Sequence, residues 1–177
     1  LSSAASDVYK RQAPQSGIPV NVVYEDAFAL VLEKPPRLAV HPTLNYPLGT
    51  LANGYAAWAA QRGNSPVFRP VNRIDKDTSG LLAVAKNDFA HQGLAAQFFE
   101  HSIERTYYAV VYGRPEPAEG TITGNIARSR FDRKKMALVE NGGKHAVTHY
   151  RCLQSANGAV SLVRCNLETG RTHQIRV

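Results

Sequence analysis

At 177 residues the chain suits one domain and is long enough to bury a core. No apolar run approaches the roughly 20 residues that a membrane-spanning helix needs. Lys and Arg number 21 against 14 Asp and Glu, a net charge of +7, and such an excess attracts polyanions through phosphate neutralisation and counterion release. The same excess also fits a basic surface with no nucleic-acid partner.

The opening L-S-S-A-A-S-D-V-Y-K-R-Q is Ser/Ala-rich and lacks the apolar core of a signal peptide. Residues 1–12 are expected to be a non-native leader. They hold Asp7, Lys10 and Arg11, so nearly all the positive charge belongs to residues 13–177. Val20 to Tyr24 and Phe28 to Glu33 read as two short strands around a turn at Glu25-Asp26. Pro35-Pro36 stops regular structure. Thr50 to Ala60 has helical spacing, with Leu51, Tyr55, Trp58 and Ala59 on one side. Val71 to Gly80 is a polar loop, and Leu81 to Ala85 reads as a buried strand. Asp88 to Glu100 reads as an amphipathic helix with Ala90, Leu94 and Phe98 on its stripe, capped by Asn87 or Asp88.

Thr106 to Tyr112 is a nearly continuous apolar and aromatic run, as in a central strand. Thr121 to Ala127 reads as another strand, followed by a basic turn from Ser129 to Lys135. Lys144 to Leu153 and Ala159 to Leu167 pair around Asn157-Gly158, a sequence suited to a tight hairpin turn. Thr169 to Val177 reads as a turn entering a further element, so the chain is expected to lack the C-terminal part of its domain. The order of elements predicts an α+β fold with a mixed, largely antiparallel central sheet flanked by helices and loops.

Cys152 and Cys165 lie in strands and read as small core residues, which fits a cytoplasmic chain without disulfides. Their spacing with His145 and His149 lacks the short pairs of a structural zinc site, so no metal is expected. The phosphate-cradling glycine loops of nucleotide cofactors and the G-x-S-x-G elbow of serine hydrolases are absent.

Two polar loops remain as candidates for chemistry. Arg73-Ile74-Asp75-Lys76-Asp77-Thr78-Ser79-Gly80 lies before a buried strand, where a rigid scaffold presents functional groups. Thr169 to Arg176 follows a strand and holds two arginines and a histidine. Taken alone, the first reads equally as a polar turn and the second as a capped helix start.

The segment V-N-R-I-D-K-D-T-S-G-L-L-A-V-A-K resembles the signature of RluA-type pseudouridine synthases, usually H-R-L-D-x-x-T-S-G-L. Four other segments resemble that family in its own order: E-K-P-P-R-L-A-V-H-P, R-T-Y-Y-A-V-V-Y-G, G-K-H-A-V-T-H-Y and E-T-G-R-T-H-Q-I-R-V. Together they cover residues 18–177.

The resemblance implies an isomerase that converts uridine in ribosomal or transfer RNA to its C-glycoside without a cofactor. It places Asp75 on the catalytic aspartate, Arg176 on the arginine facing it and Tyr107 on the tyrosine that stacks on the base. A neighbouring guanidinium would keep such a carboxylate ionised. Arg73 would enter the RNA stack where the base has left. Asn72, Lys76, Thr78, Arg171, His173, Arg133 and Lys134 are the further expected RNA contacts. Asn72 stands where the family usually has His, which implies tuning rather than loss of activity. No S4-type RNA-binding domain is expected, nor a membrane or nucleotide partner, and a monomer is. The alternatives are a catalytically inactive RNA-binding module of the same fold and a nuclease or glycosylase using the same carboxylate.

Overall fold

The computed structural model describes residues 13–44 and 46–177; the leader expected over residues 1–12 lies outside them. The chain divides into two compact units, one ending at Glu100 and the other running from His101 to Val177. No helix among the described residues is long and apolar enough to cross a membrane.

The first unit is a four-stranded antiparallel sheet with two helices. Its strands are β1 (Asn21–Glu25), β2 (Ala29–Lys34), β3 (Arg69–Pro70) and β4 (Gly80–Ala85), in the order β1-β2-β4-β3. Helix α1 (Leu51–Gln61) follows Thr50, whose N–H and hydroxyl both donate to the Asn53 side-chain oxygen. Leu30 and Leu32 of β2, Leu82 and Val84 of β4, and Leu51 and Tyr55 of α1 share one core. The one-sided helix expected over Thr50 to Ala60 is instead buried almost all round, Asn53 and Gly54 included. Gly54 is needed there, because a Cβ would fall 2.8 Å from the Ile18 side chain.

Strand β4 alternates more than expected, with Leu82 and Val84 buried and Leu81 exposed. Helix α2 (Asp88–Phe99) is capped by Asn87, whose side chain accepts from the Ala90 N–H at 2.8 Å. Its stripe is only half-covered: Ala90 is buried, while Leu94 and Phe98 are half-buried.

The second unit is a five-stranded antiparallel sheet. Its strands are β5 (Thr106–Tyr112), β6 (Glu119–Arg128), β7 (Met136–Val139), β8 (Lys144–Ala156) and β9 (Val160–Leu167), in the order β5-β9-β8-β6-β7. Thr106 to Tyr112, expected as a central strand, lies at the sheet edge among the described residues. Its residues alternate between exposed and half-buried, so the apolar run marks two faces of an edge strand. The hairpin between β8 and β9 turns at Asn157 and Gly158, both at positive φ, as that turn requires. Strand β7 was not among the expected elements; it extends the basic turn into a hairpin with β6.

These elements make an α+β fold. Every ladder between its strands is antiparallel, and parallel pairing is confined to the isolated Ala39–Thr50 bridge.

Candidate active site

Arg73, Asp75, Lys76 and Thr78 lie on the loop between β3 and β4. Ile74 packs against the core and anchors this loop from below. The Thr78 N–H donates to the Asp75 carbonyl at 3.1 Å, so the segment is a tight polar turn as well as a candidate site. Asp75 is half-buried, and Arg73 and Lys76 are exposed.

Asn72, expected among the RNA contacts, is engaged within the unit. Its side-chain oxygen accepts from the Ala83 N–H at 2.8 Å, and its amide donates to the Leu81 carbonyl at 3.3 Å. The amide therefore pairs with β4 as a backbone unit would, and fixes the start of the loop. Lys76 places its ammonium 4.5 Å from the centre of the Tyr46 ring and donates to the Tyr46 hydroxyl at 3.1 Å.

Lys34 was not among the expected site residues, yet it holds this loop in place. It is 0% exposed, and its ammonium donates to the Pro35 carbonyl at 2.8 Å and the Lys76 carbonyl at 3.0 Å. Burial pushes this ammonium below the ordinary lysine pKa, and the charges of Asp77 and then Asp75 pull it back. The fully buried lysine thus ties the peptide that follows Asp75 to the end of β2. Lys34→Met keeps the volume but leaves two part-buried carbonyls without this donor. It is expected to cost about 2 kcal/mol of stability, less than two charge-assisted bonds because the ammonium no longer has to be desolvated. Urea denaturation of the two proteins checks this; equal midpoints would remove Lys34 from the role.

His41 lies close enough to Arg73 to feel its charge. Its pKa is lowered by burial and, secondarily, by the Arg73 guanidinium, and its ring sits 5.6 Å from that of Phe68. The folded state therefore binds a proton less readily than the unfolded chain. The stability this neutral ring provides is complete above the ordinary histidine pKa and is lost as pH falls through it. Stability is expected to fall between pH 7.5 and 5.5, progressively as pH drops from the ordinary histidine pKa through the lowered folded one, and His41→Gln should flatten the slope. Denaturation curves at the two pH values measure it.

In the second unit, Tyr107 sits on β5, half-buried and in register with Cys165 of β9. Cys165 is in turn in register with Tyr150 of β8, and Tyr150 with Gly120 of β6. A Cβ at Gly120 would lie 3.3 Å from the Tyr150 ring, so this glycine leaves room for it.

Strand β9 runs into the closing segment, which ends in a 3-10 turn over Gln174–Arg176. His173 enters that turn at φ 57, and Arg176 is its exposed last residue. The Arg171 Nε donates to the His145 carbonyl at 2.6 Å. Arg171 is thus tied to β8, while Arg176 is the guanidinium at the exposed end.

Gln174, buried and also absent from the expected site, organises the segment. Its amide nitrogen donates to the Val147 carbonyl at 3.0 Å and the Thr148 hydroxyl at 2.9 Å. Its side-chain oxygen accepts from the Thr169 hydroxyl at 2.9 Å and the Arg171 N–H at 2.8 Å. The Thr169 oxygen accepts in turn from the Val147 N–H. Arg133 and Lys134 lie apart from this segment, at the exposed tip of the β6–β7 hairpin. No cluster of three or more His, Cys, Asp or Glu residues among those described could hold a metal ion.

The first unit carries a carboxylate on an anchored loop, and the second carries an aromatic strand, a pinned arginine-bearing turn and a basic hairpin. The chain belongs to the RNA pseudouridylate synthase family, whose profile matches residues 29–177. It is 51% identical over 165 residues to ribosomal large subunit pseudouridine synthase D of Zymomonas mobilis, covering 90% of this chain and 51% of that protein. It is 43% identical to the protein of the same name from Nitrosomonas europaea, covering 90% of this chain and 46% of that one. The chain therefore spans about half the length of these curated relatives. Among solved structures, human RNA Pseudouridylate Synthase Domain Containing 1 superposes with a TM-score of 0.72 at 27% identity, covering 93% of this chain and 65% of that one.

Proposed function

We propose that the protein is an RNA pseudouridine synthase that isomerises specific uridines, with Asp75 as nucleophile. The carrying observation is the family match over residues 29–177, which contains Asp75, Tyr107 and Arg176 together. Ribosomal RNA is the favoured substrate, because relatives about half identical to this chain are named for the large ribosomal subunit. Transfer RNA is the second candidate.

In this reading the bond between ribose and the base nitrogen breaks, the base turns in place, and a bond from ribose to C5 forms. The hydrogen on C5 leaves as a proton, and the freed ring nitrogen takes one up, so atoms balance without a cofactor. Asp75 supplies the nucleophilic oxygen and Arg176 the planar guanidinium that orients it. Tyr107 holds the base by its face, and Arg73 fills the gap in the stack, offsetting part of the few kcal/mol that flipping costs. Thr78, Lys76, Arg171, His173, Arg133 and Lys134 contact the backbone or loop of the RNA. Asn72 acts through the loop it anchors. The protein works as a cytoplasmic monomer, and residues 13–177 belong to one catalytic domain.

Tritium release from RNA labelled at uracil C5 tests the reading. Release above background by the purified protein supports it. No release on total ribosomal and transfer RNA from cells lacking the protein would sink it.

A further inference from the structure

The β6–β7 hairpin carries a feature that the isomerisation itself does not use. Phe131, at its tip, is 102% exposed, with its whole ring in solvent. Arg130, Arg133 and Lys134 around it are also exposed, and none makes an ion pair among the described residues. Lys135 lies 3.7 Å from Asp132.

The tip is held by its own hydrogen bonds. The Ser129 side-chain oxygen accepts from the N–H groups of Phe131 and Asp132, each at 3.2 Å. The Asp132 carboxylate accepts from the Lys134 N–H at 2.9 Å. The Arg128 guanidinium donates to the Arg133 carbonyl at 2.7 Å, and the Ser129 N–H to the Lys135 carbonyl at 3.0 Å. The ring is therefore presented on a preset turn, so binding through it forfeits little backbone freedom. An aromatic ring that contributes nothing to a core, flanked by unpaired cations, matches the surface that single-stranded nucleic acid requires: a face for a base and charges for its phosphates.

We propose that Phe131 stacks on an unpaired base of the RNA while Arg130, Arg133 and Lys134 neutralise the adjoining phosphates. This rests on the RNA-directed reading above, but it concerns recognition and not turnover. The hairpin would give the protein a preference for loops and bulges over continuous duplex, because bases in a helix have no free face for the ring.

The test measures binding alone, with two fluorescein-labelled RNAs: a short hairpin with an unpaired uridine-containing loop, and the blunt duplex of the same stem. For the intact chain the hairpin should bind more tightly than the duplex. Phe131→Ala should weaken hairpin binding about tenfold, leave duplex binding within about twofold, and leave the salt dependence unchanged. Phe131→Trp should keep hairpin affinity, and its added fluorescence should be quenched by the hairpin but not by the duplex. The double variant Arg133→Gln, Lys134→Gln should weaken both RNAs and flatten the salt dependence.

Equal affinity of intact chain and Phe131→Ala for the hairpin would overturn the proposal. So would equal loss on both RNAs, or no binding of either RNA by the intact chain. Circular dichroism of Phe131→Ala guards against a folding defect. Tritium release is scored separately, so a chain that binds hairpins through Phe131 without turnover sinks the enzyme reading and leaves this one standing.

Discussion

Asp75→Asn is expected to lower tritium release by at least about a thousandfold while leaving RNA binding intact. The amide is nearly the size of the carboxylate but has no anionic oxygen to act as the proposed nucleophile. The loop around it should persist, because its anchors are elsewhere. Asn72 pairs with the β4 backbone at Leu81 and Ala83, Lys34 donates to the Lys76 carbonyl, and Ile74 packs on the core. Loss of the Asp75 charge removes one of the two carboxylates that support the buried Lys34 ammonium, but Asp77, whose influence is larger, remains. Stability should therefore fall by no more than about 1 kcal/mol. Turnover on C5-labelled RNA and a filter-binding assay on the same RNA separate the two effects. Residual turnover within about tenfold of the unmodified chain would deny Asp75 the nucleophile's role and favour a different carboxylate or a different reaction. If RNA binding vanished along with turnover, the loop itself would have collapsed, contrary to the anchoring described.

Gln174→Ala is expected to destabilise the second unit by about 3 kcal/mol, a large share of a domain's total stability. Both ends of the buried amide are engaged, and truncation leaves the Val147 carbonyl, the Thr148 and Thr169 hydroxyls and the Arg171 N–H short of a partner. Little of this can be recovered by water, because Gln174, Thr148 and Thr169 are all buried. The closing segment that ends in Arg176 should loosen first, since this network is what pins it to β8. Hydrogen exchange at Arg171 and Arg176, whose N–H groups bond within the segment, should accelerate before that of β5. Gln174→Glu retains the acceptor end and loses the donor, so its cost should be intermediate. A change of less than about 1 kcal/mol for the alanine variant, read from urea denaturation, would mean that the network is dispensable.

The residues proposed to carry the chemistry were legible because the features marking them are contiguous. Arg73, Asp75 and Thr78 fall within one short polar loop, and Arg171, His173 and Arg176 within another, so once five such segments resembled one family in order, their places could be read. The helix start at Asn87 and the Asn157-Gly158 turn were legible for the same reason, since capping and positive φ are properties of one or two residues.

What pattern alone left open was burial and neighbourhood. A lysine before Pro35-Pro36 reads as a surface charge until the β2–β4 ladder sets Lys34 opposite Gly80, at the end of the Asp75 loop. Gln174 reads as one polar residue among several until the return of the chain past β9 brings it to Val147 and Thr148, 27 and 26 residues away in sequence. The Thr106–Tyr112 run reads as a central strand because apolar content reports how much surface a strand can bury, not whether a neighbour lies on each side. Local sequence thus determined the elements, their caps and the motif-bearing loops. Long-range pairing, which no single segment encodes, decided which polar residues are buried to hold those loops and which aromatics, Phe131 among them, are left in solvent.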